Sequence, residues 1–234
     1  MKNIVIKIGG SLLFNNNFEI NTEKIIQFST IIRNKTNYDS IVVVCGGGLI
    51  AREYIKTVRL FKKNEAFCDT IGIDLSHINS RLIIAGLGEI AYPIVPKNVE
   101  DLSKAILFNK IVVMGGLQPG QSTTSVAFEA AELIDAESLV ILTNVEGIYD
   151  KDPKKYTDAK LIKSIDYDRL EKLILEQSGN KQAAAGEYRI FDLVSLQILK
   201  RSKITVYIIS GKDLNEFSKF WSGNTKIKGT IITS

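Results

Sequence analysis

A chain of 234 residues, 45% hydrophobic and 24% charged, suits one large α/β domain or two closely joined lobes. Its formal net charge of +4 is scattered, without a basic tail, and gives no footprint for nucleic acid. Two cysteines without a CxxC pair, a lone His77 and no apolar run of membrane-spanning length exclude a disulfide framework, a zinc site and a membrane span, and suit a cytoplasmic protein.

The chain enters a strand almost at once, over Ile4–Ile8, with no separate signal segment ahead of it. Lys7 interrupts this apolar run, and Gly9-Gly10-Ser11 follows. A lysine inside a strand is costly unless its amine finds a partner or open space. Lysine beside exposed glycine N–H groups reads either as a phosphate cradle or as a snorkelled lysine above an ordinary loop. Asn21 or Thr22 caps a helix to Arg33 with Ile25, Phe28, Ile31 and Ile32 on its apolar face. A fully apolar strand, Ile41–Cys45, then runs into Gly46-Gly47-Gly48 and a helix starting near Leu49. Strand, glycine loop and helix N-terminus together make a recurrent anion site, which Arg52 would reach from one turn into the helix; on the surface alone Arg52 would carry no meaning.

Asp69–Ala85 reads as a long helix or helix pair with Leu75, Ile78, Leu82 and Ile83 on its apolar face, interrupted or ended by Gly72 and Gly86-Leu87-Gly88. Ile90–Val95 reads as an edge strand because it holds Pro93, and 98–109 as another helix. Ile111–Met114 is a further buried strand, followed by Gly115-Gly116, a polar loop and a helix over Thr123–Asp135. Three strand–glycine junctions thus recur in the first half, and in an open α/β sheet such junctions line up at the strands' carboxyl ends, where ligands bind.

The fourth strand, Leu139–Leu142, leads into the run Thr143–Pro153. Its Asn, Tyr and acidic groups suit a polar ring and ribose, or simply a turn-rich connection. A short strand at Lys160–Ser164, a helix at Asp166–Gln177 and a loop at 179–189 come next; Lys181 in that loop is functional or merely solvated. Asp192 caps a helix over Leu193–Arg201. Strand Ile204–Ile209, a helix at Leu214–Trp221 and an edge strand at Lys228–Ile232 complete an α/β chain dominated by parallel crossovers. No GxxxxGK[ST], strand-following GxGxxG or GxSxG motif is present, which leaves several anion cradles with Lys7 and Arg52. Such equipment suits phosphoryl transfer between two phosphate-bearing ligands, which depends on positioning and charge neutralisation and needs no protein nucleophile.

Five segments carry a family resemblance: IKIGGSLL at Ile6–Leu13, VCGGGLIAREYI at Val44–Ile55, GGLQPGQSTT at Gly115–Thr124, TNVEGIYDKDP at Thr143–Pro153, and Asp192–Ser210 with its SKI segment. In this order they resemble the amino-acid kinase superfamily and, within it, the archaeal-type UMP kinases. The resemblance implies a three-layer α/β/α sandwich with a mostly parallel sheet, an acceptor lobe over about 1–138 and an ATP lobe over about 139–234. It implies transfer of the γ-phosphoryl of ATP to UMP with Mg²⁺, the metal held mainly through phosphates and water. It implies a homohexamer built from dimers, with UTP as a possible inhibitor.

By the same resemblance, Lys7 and Asp192 are catalytic, although Asp192 also fits a simple helix cap. ATP falls to Lys7, Gly9, Gly10, Ser11, Thr143, Asn144, Tyr149 and Asp152. UMP falls to Gly46, Gly47, Gly48, Arg52, Asp69, Gly72, Gly116, Thr123 and Thr124. The family's arginine–leucine–asparagine–alanine stretch is replaced here by His77-Ile78-Asn79-Ser80. His77 is then a neutral replacement that weakens phosphate or subunit contacts, or a satisfied surface or interface histidine. The alternatives are a kinase of the same fold for isopentenyl phosphate or an acylamino acid, and a non-catalytic nucleotide-binding regulator.

Overall fold

Strand β1 (Asn3–Ile8) forms the middle of the molecule because both of its faces are covered. Ile4, Ile6 and Ile8 join one core and Val5 the other, the alternation expected of a strand buried on both sides. The computed structural model describes residues 2–15, 17–34, 38–151, 153, 156–178 and 190–234, with the backbone alone for 176–178. Among these, β2 (Ser40–Cys45), β3 (Val112–Met114), β4 (Ser138–Thr143), β5 (Ser164–Asp166), β6 (Thr205–Ser210) and β7 (Gly229–Thr233) complete a seven-stranded sheet in the order β3-β2-β1-β4-β6-β7-β5. Every pairing is parallel except β6–β7.

Helices α1 (Thr22–Arg33), α3 (Glu65–Leu87) and α8 (Asn215–Trp221) cover one face, and α4 (Val99–Ala105), α5 (Thr123–Leu133), α6 (Tyr167–Ser178) and α7 (Leu193–Ser202) cover the other. Helix α2 (Gly48–Phe61) packs on α3. This is the expected three-layer sandwich. Both cores draw residues from each half of the chain, and one sheet runs through both halves alike.

Local chemistry explains the helix boundaries. Asn21, Asn64, Asn98, Ser122 and Asp192 each accept a backbone N–H in the first turn of the helix that follows. At the other end of α3, Gly88 adopts φ +63 and ψ −137, a positive-φ backbone that glycine alone reaches without strain.

Four expectations need correction. Residues 90–95 form no strand: a 3₁₀ turn, Gly88–Ile90, precedes a single parallel bridge between Ala91 and Ile111, and Pro93 cannot extend a ladder. The strand expected over Lys160–Ser164 lies later, at Ser164–Asp166, while Lys160 and Ile162 hydrogen-bond with the 148–150 segment. Strand β7 is interior, antiparallel to β6 and parallel to the true edge strand β5. Finally, α3 is the long helix of the two arrangements expected, ended at Gly88, but its apolar face is misplaced: the buried side carries Ser76, Asn79 and Ser80 while Ile78 is 52% exposed.

Candidate active site

Strands β3, β2, β1 and β4 lie side by side and parallel, so the glycine loops after the first three and the Thr143 segment after the fourth emerge along one edge. Main-chain bonds tie three of these exits together: Gly46 N donates to Ile8 O (3.1 Å), Gly9 N to Leu142 O (2.9 Å) and Gly211 N to Thr143 O (2.7 Å).

The two central loops touch through bare backbone. A Cβ built on Gly10 would stand 2.2 Å from Gly46 O and 2.4 Å from Gly48 N, and one on Gly48 would stand 2.4 Å from both the C and O atoms of Gly10. Gly48 also has φ +76. Only glycine permits this approach, and it brings the loop after β1 against the N-terminus of α2. No side chain caps that N-terminus, so its first N–H groups remain available to an anion. Ser11 follows in a single 3₁₀ turn whose Leu12 is buried against Gly211.

Lys7 lies on the α5/α7 side of the sheet, by alternation with Ile6 and Ile8. It is 5% exposed, and no hydrogen bond or ion pair reaches its ammonium among the described residues. Burial pulls its pKa down to about 8, partly opposed by Cys45. A buried cation without a partner is a cost to the fold that a phosphate would relieve. Arg52 turns back along its own helix: Nε donates to Gly48 O at a long 3.4 Å, which keeps the guanidinium beside the first turn of α2.

Helix α3 braces the loops after β2 and β3. Asn79 Nδ2 donates to Gly46 O (2.8 Å) and Gly47 O (3.1 Å). Gly116 N donates to Ser76 Oγ (2.8 Å), and His77 Nε2 donates to Gly116 O (2.8 Å). Because a carbonyl can only accept, this bond places the imidazole proton on Nε2, and burial holds the ring's pKa below its usual range. Asp69 Oδ2 accepts Gly120 N (2.8 Å). Gly72 faces α2, its carbonyl 3.1 Å from where a Cβ on Gly47 would sit. Thr124 is buried, and Thr123 Oγ1 lies 3.5 Å from a Cβ built on Gly46, so the start of α5 meets the triple-glycine loop.

The end of this edge after β4 is built from side chains. Thr143 is buried, and Asn144 Oδ1 is a buried acceptor without a partner. Tyr149 donates its hydroxyl to Glu146 Oε2 (3.2 Å), and Glu146 Oε1 pairs with Lys228 Nζ at 2.8 Å. Asp192 caps α7, its Oδ1 accepting Ser195 N (2.7 Å) and Ser125 Oγ (2.7 Å). No contact joins it to Lys7 among the described residues, although both lie on the α5/α7 side. Asp152 and Lys181 lie outside the described residues. Among the described residues no group of three His, Cys, Asp or Glu gathers to hold a metal.

The model of the amino acid kinase family matches residues 2–210. The chain belongs to the amino acid kinase family. A uridylate kinase of Methanobrevibacter smithii is 41% identical over 220 residues, 94% of this chain and 95% of that protein. A uridylate kinase of Sulfolobus acidocaldarius is 42% identical over 202 residues, 86% and 87% of the two chains. The crystal structure of uridylate kinase from Archaeoglobus fulgidus superposes with a TM-score of 0.82 at 33% identity, over the whole of both chains. Within this amino acid kinase, the structure gathers Gly9, Gly10, Gly46, Gly47, Gly48, Arg52 and Thr123 around the contact between the two central loops, with Lys7 buried on β1 three residues before Gly10. Tyr149 turns its hydroxyl to Glu146. Ser76, Ser125 and the Glu146–Lys228 pair escaped the sequence reading. A serine and an asparagine three apart on the buried side of α3 were the available signal for its bracing role.

Proposed function

We propose that this amino acid kinase is a UMP kinase, forming UDP and ADP from UMP and ATP for pyrimidine nucleotide synthesis. The observation that carries the reading is the Gly10–Gly48 contact, which sets two anion cradles back to back beside a buried, unpartnered lysine. An oxygen of the UMP phosphate attacks the γ-phosphorus of ATP, and the bond to the β–γ bridging oxygen breaks to release ADP. That phosphate oxygen is already anionic, so no general base is required; holding the reacting atoms in line is the main task.

Gly9, Gly10 and Ser11 hold the β- and γ-phosphates, and Lys7 neutralises the charge on the transferring group. Gly46, Gly47, Gly48 and Arg52 hold the UMP phosphate. Asp69, Gly116, Thr123 and Thr124 surround the nucleoside, with Gly72 keeping α2 and α3 close behind them. Thr143, Asn144, Tyr149 and Asp152 serve the ATP base and ribose; the unpartnered Oδ1 of Asn144 supports that role. The acceptor portion, about 1–138, and the ATP portion, about 139–234, divide the work along one sheet.

The donors at the cradles are N–H and cationic groups, which fit phosphate oxygens. Mg²⁺ would therefore be held through phosphate oxygens and water, with Asp192 Oδ2, which accepts no hydrogen bond among the described residues, reaching its water shell. When bound it would supply further neutralisation of phosphate charge.

Assembly as a homohexamer of dimers is supported by the family resemblance and by the outward Tyr54, Leu60, Phe61, Phe67 and Ile78 of α2 and α3. UTP, sharing the uridine of UMP, would inhibit at the acceptor site. A cytoplasmic location is supported by two unpaired, buried cysteines. The test is a phosphoryl-acceptor panel of UMP, CMP, dUMP, GMP, isopentenyl phosphate and acetylglutamate with ATP. UMP is expected to be the preferred acceptor. Efficient transfer only to a non-nucleotide would sink the proposal, and nucleotide binding without turnover would point to a regulator.

A further inference from the structure

Neither acceptor-side glycine loop has side chains with which to hold its own shape, and helix α3 holds both. Its buried face over Ser76–Ser80 is polar where a helix against a sheet is ordinarily apolar: Ser76 and Ser80 are 0% exposed and Asn79 is 3%. Asn79 uses one amide on two successive carbonyls, those of Gly46 and Gly47. A trans peptide is planar, with its C=O and N–H pointing in opposite directions. Drawing the Gly46 and Gly47 oxygens toward α3 therefore turns the N–H groups of Gly47 and Gly48 away from it. The Gly48 nitrogen is packed against Gly10 beside the Gly46 carbonyl, where the two cradles meet, so the same peptides that Asn79 holds form the contact between the loops.

One turn earlier, Gly116 is held at both of its polar atoms by adjacent residues, N–H by Ser76 and C=O by His77. By the same planarity, His77 fixes the direction of the Leu117 N–H. The fit leaves no slack: a Cβ on Gly115 would stand 2.4 Å from Ser76 Oγ and 2.7 Å from His77 Cδ2.

We propose that Ser76, His77 and Asn79 form a bracket on α3 that sets the acceptor site by fixing the N–H directions of the loops at 46–48 and 115–117. These are positioning residues: none donates to the acceptor itself, and each acts through a glycine peptide. His77 thereby acquires a specific task at the position where the resembled family carries arginine. The proposal rests on the phosphoryl-transfer reading above and concerns its acceptor half alone.

The test uses the full chain with His77→Gln, His77→Leu and Asn79→Leu beside the wild type, reading KM for acceptor and for ATP, kcat and the thermal unfolding midpoint. His77→Gln retains an amide donor near the position of Nε2; His77→Leu removes it. Loss of one hydrogen bond that orients a binding group is expected to raise the acceptor KM about tenfold in His77→Leu, with KM for ATP within about twofold of wild type. His77→Gln is expected to recover most of that change. Asn79→Leu, which frees two carbonyls, is expected to raise the acceptor KM further and to lower kcat.

A purely structural role would lower the unfolding midpoint and leave both KM values together, or shift them equally. Either pattern overturns the bracket, as does a His77→Gln variant no better than His77→Leu. Should the wild type reject UMP but use another acceptor in the panel, the same variants are read on that acceptor. Failure of UMP then sinks the proposed substrate, while the pattern across the variants decides the bracket.

Discussion

The two ends of the site edge are built from different materials. On the acceptor side, the loops at 46–48 and 115–116 contribute glycine backbone, and a helix behind them holds the carbonyls. On the donor side, after β4, Asn144, Tyr149 and Glu146 contribute side-chain polar atoms to a turn-rich segment. The difference follows from what each end is proposed to recognise. A phosphate that must sit in line with a reacting atom requires N–H donors that cannot rotate, and pinned peptides supply them. A base and ribose that need only be held at a distance from the reaction tolerate side chains with rotamer freedom. Lys7 stands where the two constructions meet, on a strand paired with both β2 and β4.

The contrast can be broken by substitution, in order of expected effect. Lys7→Ala is expected to lower kcat by on the order of 1,000-fold while the chain stays folded, in steady-state assays of UDP formation. Near-normal turnover would remove Lys7 from the chemistry. Gly10→Ala drives a methyl into the backbone of Gly46 and Gly48, which has no flexible end to yield. A displacement of even about 1 Å between the cradles is expected to cost on the order of 100-fold in kcat, with KM for each nucleotide affected less. Arg52→Ala removes the charge proposed to hold the acceptor phosphate and is expected to weaken UMP about 10- to 100-fold by calorimetry, leaving ATP unchanged. An unchanged UMP dissociation constant would detach Arg52 from the site. Tyr149→Phe loses one neutral hydroxyl and is expected to raise KM for ATP only a few-fold. A loss as large as that of Gly10→Ala would erase the distinction between the two ends.

Much of this architecture was legible in the residues. Helix α1 declared itself by the Asn21 cap and the spacing of Ile25, Phe28 and Ile32, and β1, β2 and β4 by unbroken apolar runs. The glycine loops stood out because runs of glycine after buried strands have few other physical reasons to exist. The bracing face of α3 was invisible for the opposite reason. Its hydrophobic spacing pointed inward at Ile78, yet the helix packs against bare loop backbone, so Asn79 turns in to give two loop carbonyls a donor, Ser76 turns in to give the Gly116 N–H an acceptor, and Ile78 turns out. The place of β7 between β6 and β5 depends on pairing between segments more than 60 residues apart, as in Ser164 with Ile231, which local pattern does not encode.

Lys7 also permits a test that needs no assay of turnover. Its folded pKa of about 8 lies below the ordinary lysine value of 10.5, so the unfolded chain holds the extra proton between those limits. The cost of burying the charge is present in full below pH 8 and fades as pH rises from about 8 to 10.5. At pH 7 that cost is roughly 3 kcal/mol, because each tenfold loss of proton affinity on folding is worth about 1.4 kcal/mol. The decisive measurement is denaturant unfolding of Lys7→Met beside the wild type at pH 7, with and without ATP and UMP. Without nucleotides the variant is expected to be the more stable by up to that amount, and with them to gain less stability than the wild type. A variant that is less stable without ligand, yet equally stabilised by the nucleotides, would contradict a lysine held in reserve for phosphate.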